Sequence, residues 1–152
     1  SKDSSLFPHW ERSKEVGDEK TYPFHLHIFS TMALTGSRNA NQPWLQAIVG
    51  EYIYERWETW AEVSPETAKR VGISDMDMIW VESPHGKIKV RARLYKGAMP
   101  EVVSIPFGSG HRSGGRWSQG LGENPYRLLP EDLDPLTAHP IKDSTRVKIY
   151  KA

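Results

Sequence analysis

The sequence predicts a mainly β domain with short helices, most simply a small closed or nearly closed barrel. Three features point there. Short runs alternate apolar and polar side chains with a period of two, the mark of half-buried strands. Helical periodicity is confined to two places. Two long polar loops interrupt the chain, and 12 glycines and 11 prolines punctuate it.

Taken in order, residues 1–21 are polar and mixed, with Phe7-Pro8-His9-Trp10 as the sticky patch, and read as an arm or linker; the domain proper is 22–152. Phe24, Leu26 and Ile28 alternate with His25, His27 and Phe29, which predicts a strand. A loop from Thr31 to Gln42 is dense in turn formers. Pro43 suits the first position of a helix. Trp44, Leu45, Ile48, Val49, Tyr52, Ile53 and Trp57 then recur at three- and four-residue steps, although Gly50 and Tyr52-Ile53-Tyr54 weaken the second half. Trp60–Val63 reads as a short strand. Ser64 offers an N-cap hydroxyl, Pro65 an N1 residue and Glu66 an acid at the positive end of the helix dipole, with Ala68 and Val71 inward and Gly72 as the stop. Strand-like pieces follow at 78–82, 87–95 and 101–106, the second alternating Ile88, Val90, Ala92 and Leu94 with lysine and arginine. Tyr126–Leu129 precedes a stretch rich in proline and acid. A last strand runs from Thr145 to Tyr150.

Composition narrows the function. The chain has 152 residues, enough to bury a real core as one domain, and 20 Lys+Arg against 19 Asp+Glu leave a net charge of +1. No global field recruits nucleic acid or an anionic membrane, and no apolar run approaches membrane-spanning length. Cysteine is absent, which removes disulfides, thiol nucleophiles, thiolate zinc sites and thiolate-held iron–sulfur clusters. The N-terminal residues carry no signal-peptide pattern.

The common catalytic motifs fail letter by letter. Gly110-His-Arg-Ser-Gly-Gly115 has Walker spacing, but Arg116 stands where lysine is required. Gly108-Ser-Gly110 opens like a dinucleotide fingerprint, yet Ser113 occupies the last glycine position and the alternation of strand and helix is missing. His25 and His27 share a strand face but lack a third ligand at defined spacing, so they read as a polar face toward solvent or a neighbouring domain. Asp75 and Asp77 read as turn chemistry. No Gly-x-Ser-x-Gly elbow supports a hydrolase triad.

What remains is binding. Glycines at 108, 110, 114, 115, 120 and 122 make the segment 107–125 unsuited to a regular element, and His111, Arg112, Arg116, Trp117, Gln119 and Asn124 stand between them. The earlier loop carries Ser37, Arg38, Asn41 and Gln42. Arginine offers bidentate contacts to phosphate, Asn and Gln read the edge of a purine-like ring, and glycine and serine amides can cradle a pyrophosphate. The set suits an extended anionic heterocycle, against the plainer reading of a loop-rich structural domain.

Several motifs in order carry a resemblance: Asn41-Gln-Pro-Trp-Leu45, Trp60-Ala-Glu-Val-Ser-Pro-Glu-Thr-Ala-Lys-Arg-Val-Gly-Ile73, Ile79-Trp-Val-Glu-Ser-Pro-His-Gly86, Met99-Pro-Glu-Val-Val-Ser-Ile-Pro-Phe-Gly-Ser-Gly-His111 and Gly115-Arg-Trp-Ser-Gln-Gly-Leu-Gly-Glu-Asn-Pro125. From about Tyr22 to its end the chain resembles the C-terminal molybdopterin-dinucleotide-binding domain of the dimethyl-sulfoxide-reductase-type oxidoreductases. The branch it looks most like holds polysulfide, thiosulfate and sulfur reductases and a subunit of alternative complex III. The resemblance implies a six-stranded double-psi β-barrel of the aspartate-decarboxylase-like kind. It further implies that two polar loops close over the pterin guanine dinucleotide (bis-MGD), through Ser37, Arg38, Asn41, Gln42 and Trp44 in the first and His111, Arg116 and Asn124 in the second. His111 is expected toward the pterin, Arg116 toward a phosphate or acidic edge and Asn124 toward a ring edge. Gly72 and Gly86 match as structural glycines, whereas Met76 replaces a residue usually glycine. Molybdenum or tungsten, any iron–sulfur cluster and the redox chemistry would belong to the parent's other catalytic domains, with an iron–sulfur subunit and a membrane anchor subunit as further partners and a periplasmic location. A cofactor-free scaffold within a membrane-bound respiratory complex is the alternative reading, and an RNA-binding barrel a remote one.

Overall fold

A computed structural model describes residues 14–31, 34, 38–48, 56–113, 115–134 and 137–152. Six strands form in it: β1 (Phe24–Ser30), β2 (Trp60–Val63), β3 (Met78–Glu82), β4 (Lys87–Leu94), β5 (Val102–Phe107) and β6 (Arg146–Lys151). Their alternation decides which face turns inward. Phe24, Leu26 and Ile28 of β1 are buried, as are Ile88, Val90 and Ala92 of β4, while Lys87 and Lys89 stay exposed. Such a set has one low-energy arrangement, a sheet rolled until its apolar face is enclosed. The strands close in the order β1-β5-β2-β4-β3-β6. The double-psi β-barrel expected from the resemblance is therefore a closed six-stranded barrel here.

Pairing is parallel between β1 and β5 and between β2 and β4, and antiparallel elsewhere, with Phe24 opposite Val147 sealing the ring. The core inside is aliphatic apart from Phe24, with Ala61, Val63, Ile79, Val81, Val103, Ile105 and Val147 wholly buried. Each large aliphatic side chain removed from water contributes about 1.5–3 kcal/mol.

Two short helices plug the connections. In α1 (Pro43–Ile48) proline opens the helix as expected. The helical pattern does not reach Trp57, whose φ of +65° belongs to a bend, and residues 49–55 lie outside the described residues. In α2 (Pro65–Val71) the Ser64 hydroxyl accepts from the Thr67 amide at 3.1 Å, and Gly72 at φ +71° ends the helix left-handed. Thr67 in turn donates its hydroxyl to the Pro100 carbonyl, tying the helix to the start of β5.

The acidic turn after α2 is turn chemistry. Asp77 accepts from the Ser74 amide and Asp75 from the Leu94 amide, and Met76 takes φ +68° between them, the left-handed position that glycine would fill without strain. Gly86 is required for a different reason: a Cβ there would lie 2.8 Å from the Arg127 carbonyl oxygen. Tyr126–Leu129 differs from the neighbouring strands. Pro125–Leu128 is a 3-10 turn, because Pro125 presets the first position and Asn124 caps it.

Arg146 fastens the described start of the chain to the barrel. Its buried guanidinium donates to the carbonyls of Tyr22 and Pro23, reaches Glu15 at 3.3 Å and bonds His25 Nε2 at 3.0 Å. A buried arginine is tolerable only when its donors are met, and here two carbonyls, a carboxylate and a ring nitrogen meet them.

Candidate functional site

Adjacent parallel strands end at the same side of a sheet. Ser30 at the end of β1 lies opposite Phe107 at the end of β5. The loop 31–42 and the glycine-rich loop 108–124 therefore leave the barrel side by side, from the same end. The two polar loops singled out by their residues are neighbours because of that one parallel pairing.

In the first loop Ser37 lies outside the described residues. Arg38 and Asn41 are exposed. The Gln42 side-chain oxygen accepts from the Trp44 indole N–H at 3.1 Å, and Trp44, in the first turn of α1, is 67% exposed. Beneath them Gln46 is buried, giving its Nε2 to the Ala40 carbonyl at 2.9 Å and accepting the Trp57 amide at 3.2 Å. Gln46 thus fixes the first loop to the segment that runs into β2. Thr59, at the end of that segment, exchanges two hydrogen bonds with the Glu123 backbone, at 2.8 and 2.9 Å. The two loops are braced through residues 46, 57, 59 and 123.

The second loop folds back on itself. The Gly110 amide donates to the Leu121 carbonyl and the Gly120 amide to the His111 carbonyl, both at 3.0 Å. That close return explains the glycines. A Cβ on Gly110 would fall 2.3 Å from the Asn124 nitrogen, and one on Gly122 would meet Ser109 Cβ at 2.6 Å and the Trp57 carbonyl at 2.9 Å. His111 Nε2 bonds the Gly108 carbonyl at 2.9 Å, so the ring is oriented by its own loop. Asn124 Oδ1 accepts from the Tyr126 amide at 3.1 Å, capping the 3-10 turn. Arg116 is at the exposed tip, its guanidinium 5.2 Å above the Trp117 ring, and Trp117 is 59% exposed.

Between the loop's two limbs lies a cleft of about 130 Å3 lined by Phe107, Gly108, Ser109, His111, Asn124 and Tyr126. Phe107 and Tyr126 meet edge to face at 5.8 Å, and Lys142 holds its ammonium 5.3 Å from one ring centroid and 5.6 Å from the other. Two further features stand out. The Thr31 hydroxyl, where the first loop leaves β1, is buried with no hydrogen-bond partner among the described residues. No cluster of three or more His, Cys, Asp or Glu side chains able to hold a metal occurs among those residues. His25 is bonded to Arg146, and His27 Nδ1 lies 3.9 Å from Asp143.

Of the predicted site residues, the structure brings His111 and Asn124 to one cleft and sets Arg38, Asn41, Gln42, Trp44 and Arg116 around the same barrel end. Sequence reasoning missed Gln46, Thr59 and Lys142. Gln46 stood in the helical pattern only as a polar gap, Thr59 belonged to no motif, and Lys142 falls between the stretch rich in proline and acid and the last strand, in no motif either.

Comparison with known proteins fits this geometry. The chain is 32% identical, over 97% of its length and 19% of the relative's, to the molybdopterin-containing subunit of arsenate respiratory reductase from Chrysiogenes arsenatis. It is 28% identical, over 76% of its length and 17% of the relative's, to the molybdopterin-binding-like subunit of menaquinone reductase from Nitratidesulfovibrio vulgaris. It thus spans about a fifth of these proteins. Acetylene hydratase from Pelobacter acetylenicus shares the fold, with a TM-score of 0.73 at 21% identity over 99% of this chain and 22% of the other. Residues 32–145 match the model of the molydopterin dinucleotide binding domain, and the chain belongs to that family.

Proposed function

We propose that the paired loops hold the guanine dinucleotide portion of a molybdopterin cofactor, within a larger oxidoreductase subunit whose other domains complete the pocket. The observation that carries this reading is the parallel pairing of β1 with β5, which delivers both loops to one end of the barrel. The donor set fits the group. Arg38 and Arg116 supply guanidinium charge for phosphate, Asn41 and Gln42 supply amides for a ring edge, and Lys142 adds an ammonium beside the cleft. Thr31 offers a buried hydroxyl that has no hydrogen-bond partner among the described residues. Ser37 and Trp44 belong to the same proposed contact set, and His111 and Asn124 shape the cleft wall.

The cleft also says what is missing. Ligand pockets commonly enclose ~300–1,000 Å3, against about 130 Å3 here. Most of a dinucleotide must rest against other surfaces, and the exposed Trp44 and Trp117 are placed to meet them. The bound group would supply the redox chemistry through its metal; the residues of this chain bind, orient and exclude water. An iron–sulfur subunit, a membrane anchor subunit and a periplasmic location remain expectations for the parent.

Titration with guanosine diphosphate tests the reading in the chain itself. Amide shifts are expected at millimolar concentration, grouped at 38–42 and 108–124, with Arg116→Ala weakening binding about tenfold, the worth of one charge-assisted hydrogen bond. Absence of any shift at those loops would overturn it and favour a cofactor-free scaffold.

A further inference from the structure

Both polar loops are tied to a short segment that belongs to neither, the approach to β2 at Trp57, Glu58 and Thr59. Trp57 takes φ +65°, a left-handed backbone that a bulky side chain adopts only under constraint. The constraint is Gln46, whose buried side chain accepts the Trp57 amide at 3.2 Å and donates to the Ala40 carbonyl, within the first loop, at 2.9 Å. On the other side the buried Thr59 hydroxyl donates to the Glu123 carbonyl at 2.8 Å and accepts the Glu123 amide at 2.9 Å. The second loop presses close there. A Cβ on Gly122 would lie 2.9 Å from the Trp57 carbonyl oxygen and 3.1 Å from the Thr59 hydroxyl.

The segment is also fixed to the barrel. The Glu58 carboxylate receives two guanidinium nitrogens of Arg91 on β4, at 2.7 and 3.2 Å, and the Arg91 amide donates to the Thr59 carbonyl at 3.3 Å. A two-pronged arginine–carboxylate pair sets direction as well as distance. Buried amides and hydroxyls whose bonds are made resist displacement, because any shift leaves a polar group unpaired away from water. A displacement of either loop therefore strains the bonds that hold the other.

We infer that Gln46, Trp57 and Thr59 form a strut that couples the two loops, so that a ligand which orders one loop orders the other. For the ligand this rests on the function proposed above; the coupling itself does not. Gln46 and Thr59 are positioning residues, buried and acting on a bound group through Ala40 and Glu123. A ligand spanning both loops then meets the entropy cost of ordering them once, not twice. The strained Trp57 backbone has its place in this account, since it aims one amide back at Gln46 just before the chain turns toward Thr59. Coupling is reciprocal, so each loop must respond to a change made beneath the other.

Thr59→Val and Gln46→Met each remove the polar atoms at nearly constant shape. In the full 152-residue chain, without ligand, Thr59→Val is expected to move the amide signals of residues 38–42 as well as 119–124. Gln46→Met should move 119–124 as well as 38–42, and in its background Thr59→Val should add nothing at 38–42. Thr59→Ser keeps the hydroxyl and should leave 38–42 in place. Guanosine diphosphate should bind Thr59→Val about tenfold more weakly than the unaltered chain, with recovery in Thr59→Ser. Displacements confined to the loop nearest each substitution, or spread evenly onto barrel residues such as Ile105, would overturn the strut. So would equal affinity for guanosine diphosphate in Thr59→Val and the unaltered chain. If Thr59→Val does not fold, the reciprocal effect of Gln46→Met at 119–124 decides the coupling. Silence of the unaltered chain toward guanosine diphosphate strikes the proposed function instead, and the ligand-free signals still decide whether the loops are coupled.

Discussion

The barrel wall and the loop end of this molecule follow opposite rules. In the wall, each strand turns its aliphatic side chains inward and its charges outward, and neighbours satisfy its backbone. At the loop end Trp44, Trp117 and Leu121 stand exposed, and hydrogen bonds such as His111 to Gly108 and Asn124 to Tyr126 hold the loops to themselves. The wall encloses its own core. The loop end is braced but open, as a surface is when other domains and a ligand finish it. Under the function proposed above, stability and binding would be separated in space, and substitutions can probe each without the other.

The largest effect is expected in the wall. Ile105 is wholly buried, so Ile105→Ala leaves a cavity and should cost about 2–5 kcal/mol, read as a fall in the denaturant midpoint. Gly110→Ala should invert the balance. The new Cβ would lie 2.3 Å from the Asn124 nitrogen at a φ of +82°, so the loop must open. Stability should fall by only about 1–3 kcal/mol, the scale of local backbone strain, while guanosine diphosphate shifts at 108–124 vanish. Equal losses of stability in the two variants would erase the distinction between wall and loop end.

The smallest effect concerns acid. The Tyr150 hydroxyl at 2.7 Å, and then the Lys148 ammonium at 3.0 Å, hold the Glu82 carboxyl below the usual glutamate range. A group whose pKa is depressed by folding contributes stability that is complete above its unfolded value and is lost as pH falls through the folded one. Between ~pH 5 and below the ordinary glutamate value of ~4.3, the native chain should therefore lose stability faster than Glu82→Gln. Parallel acid limbs in urea titrations would show that this outer-wall trio adds nothing.

The strands were legible because alternation is a local signal: the runs at Phe24, Trp60, Met78, Lys87, Val102 and Arg146 differ from the sequence reading by a residue or so at their ends. The cap at Ser64, the stop at Gly72 and the strain at Met76 were legible for the same reason, each being written in its immediate neighbours. Closure was not. That β1 lies beside β5 rests on contacts between residues far apart in sequence, which no period encodes. That the two loops act as one binding set was expected from their residue chemistry and from the family resemblance, whereas their bracing by Gln46 and Thr59 could not be anticipated, since a lone buried amide or hydroxyl has no pattern. The glycine amides of the second loop are expected from sequence to cradle a pyrophosphate; at 110 and 122 the glycines first make room for the loop's own return.

Closure of the ring has one more consequence. Every strand of the barrel has a neighbour on both sides, so none of the described strands offers a foreign strand a free edge along its full length, even where the β1–β6 and β2–β5 contacts are short. Whatever associates with this domain must recognise side chains and loop ends, not an open ladder. A unit of that kind can be carried within very different large proteins without templating sheet growth between them, and its partners are chosen entirely by what is displayed at its two ends and on its outer wall.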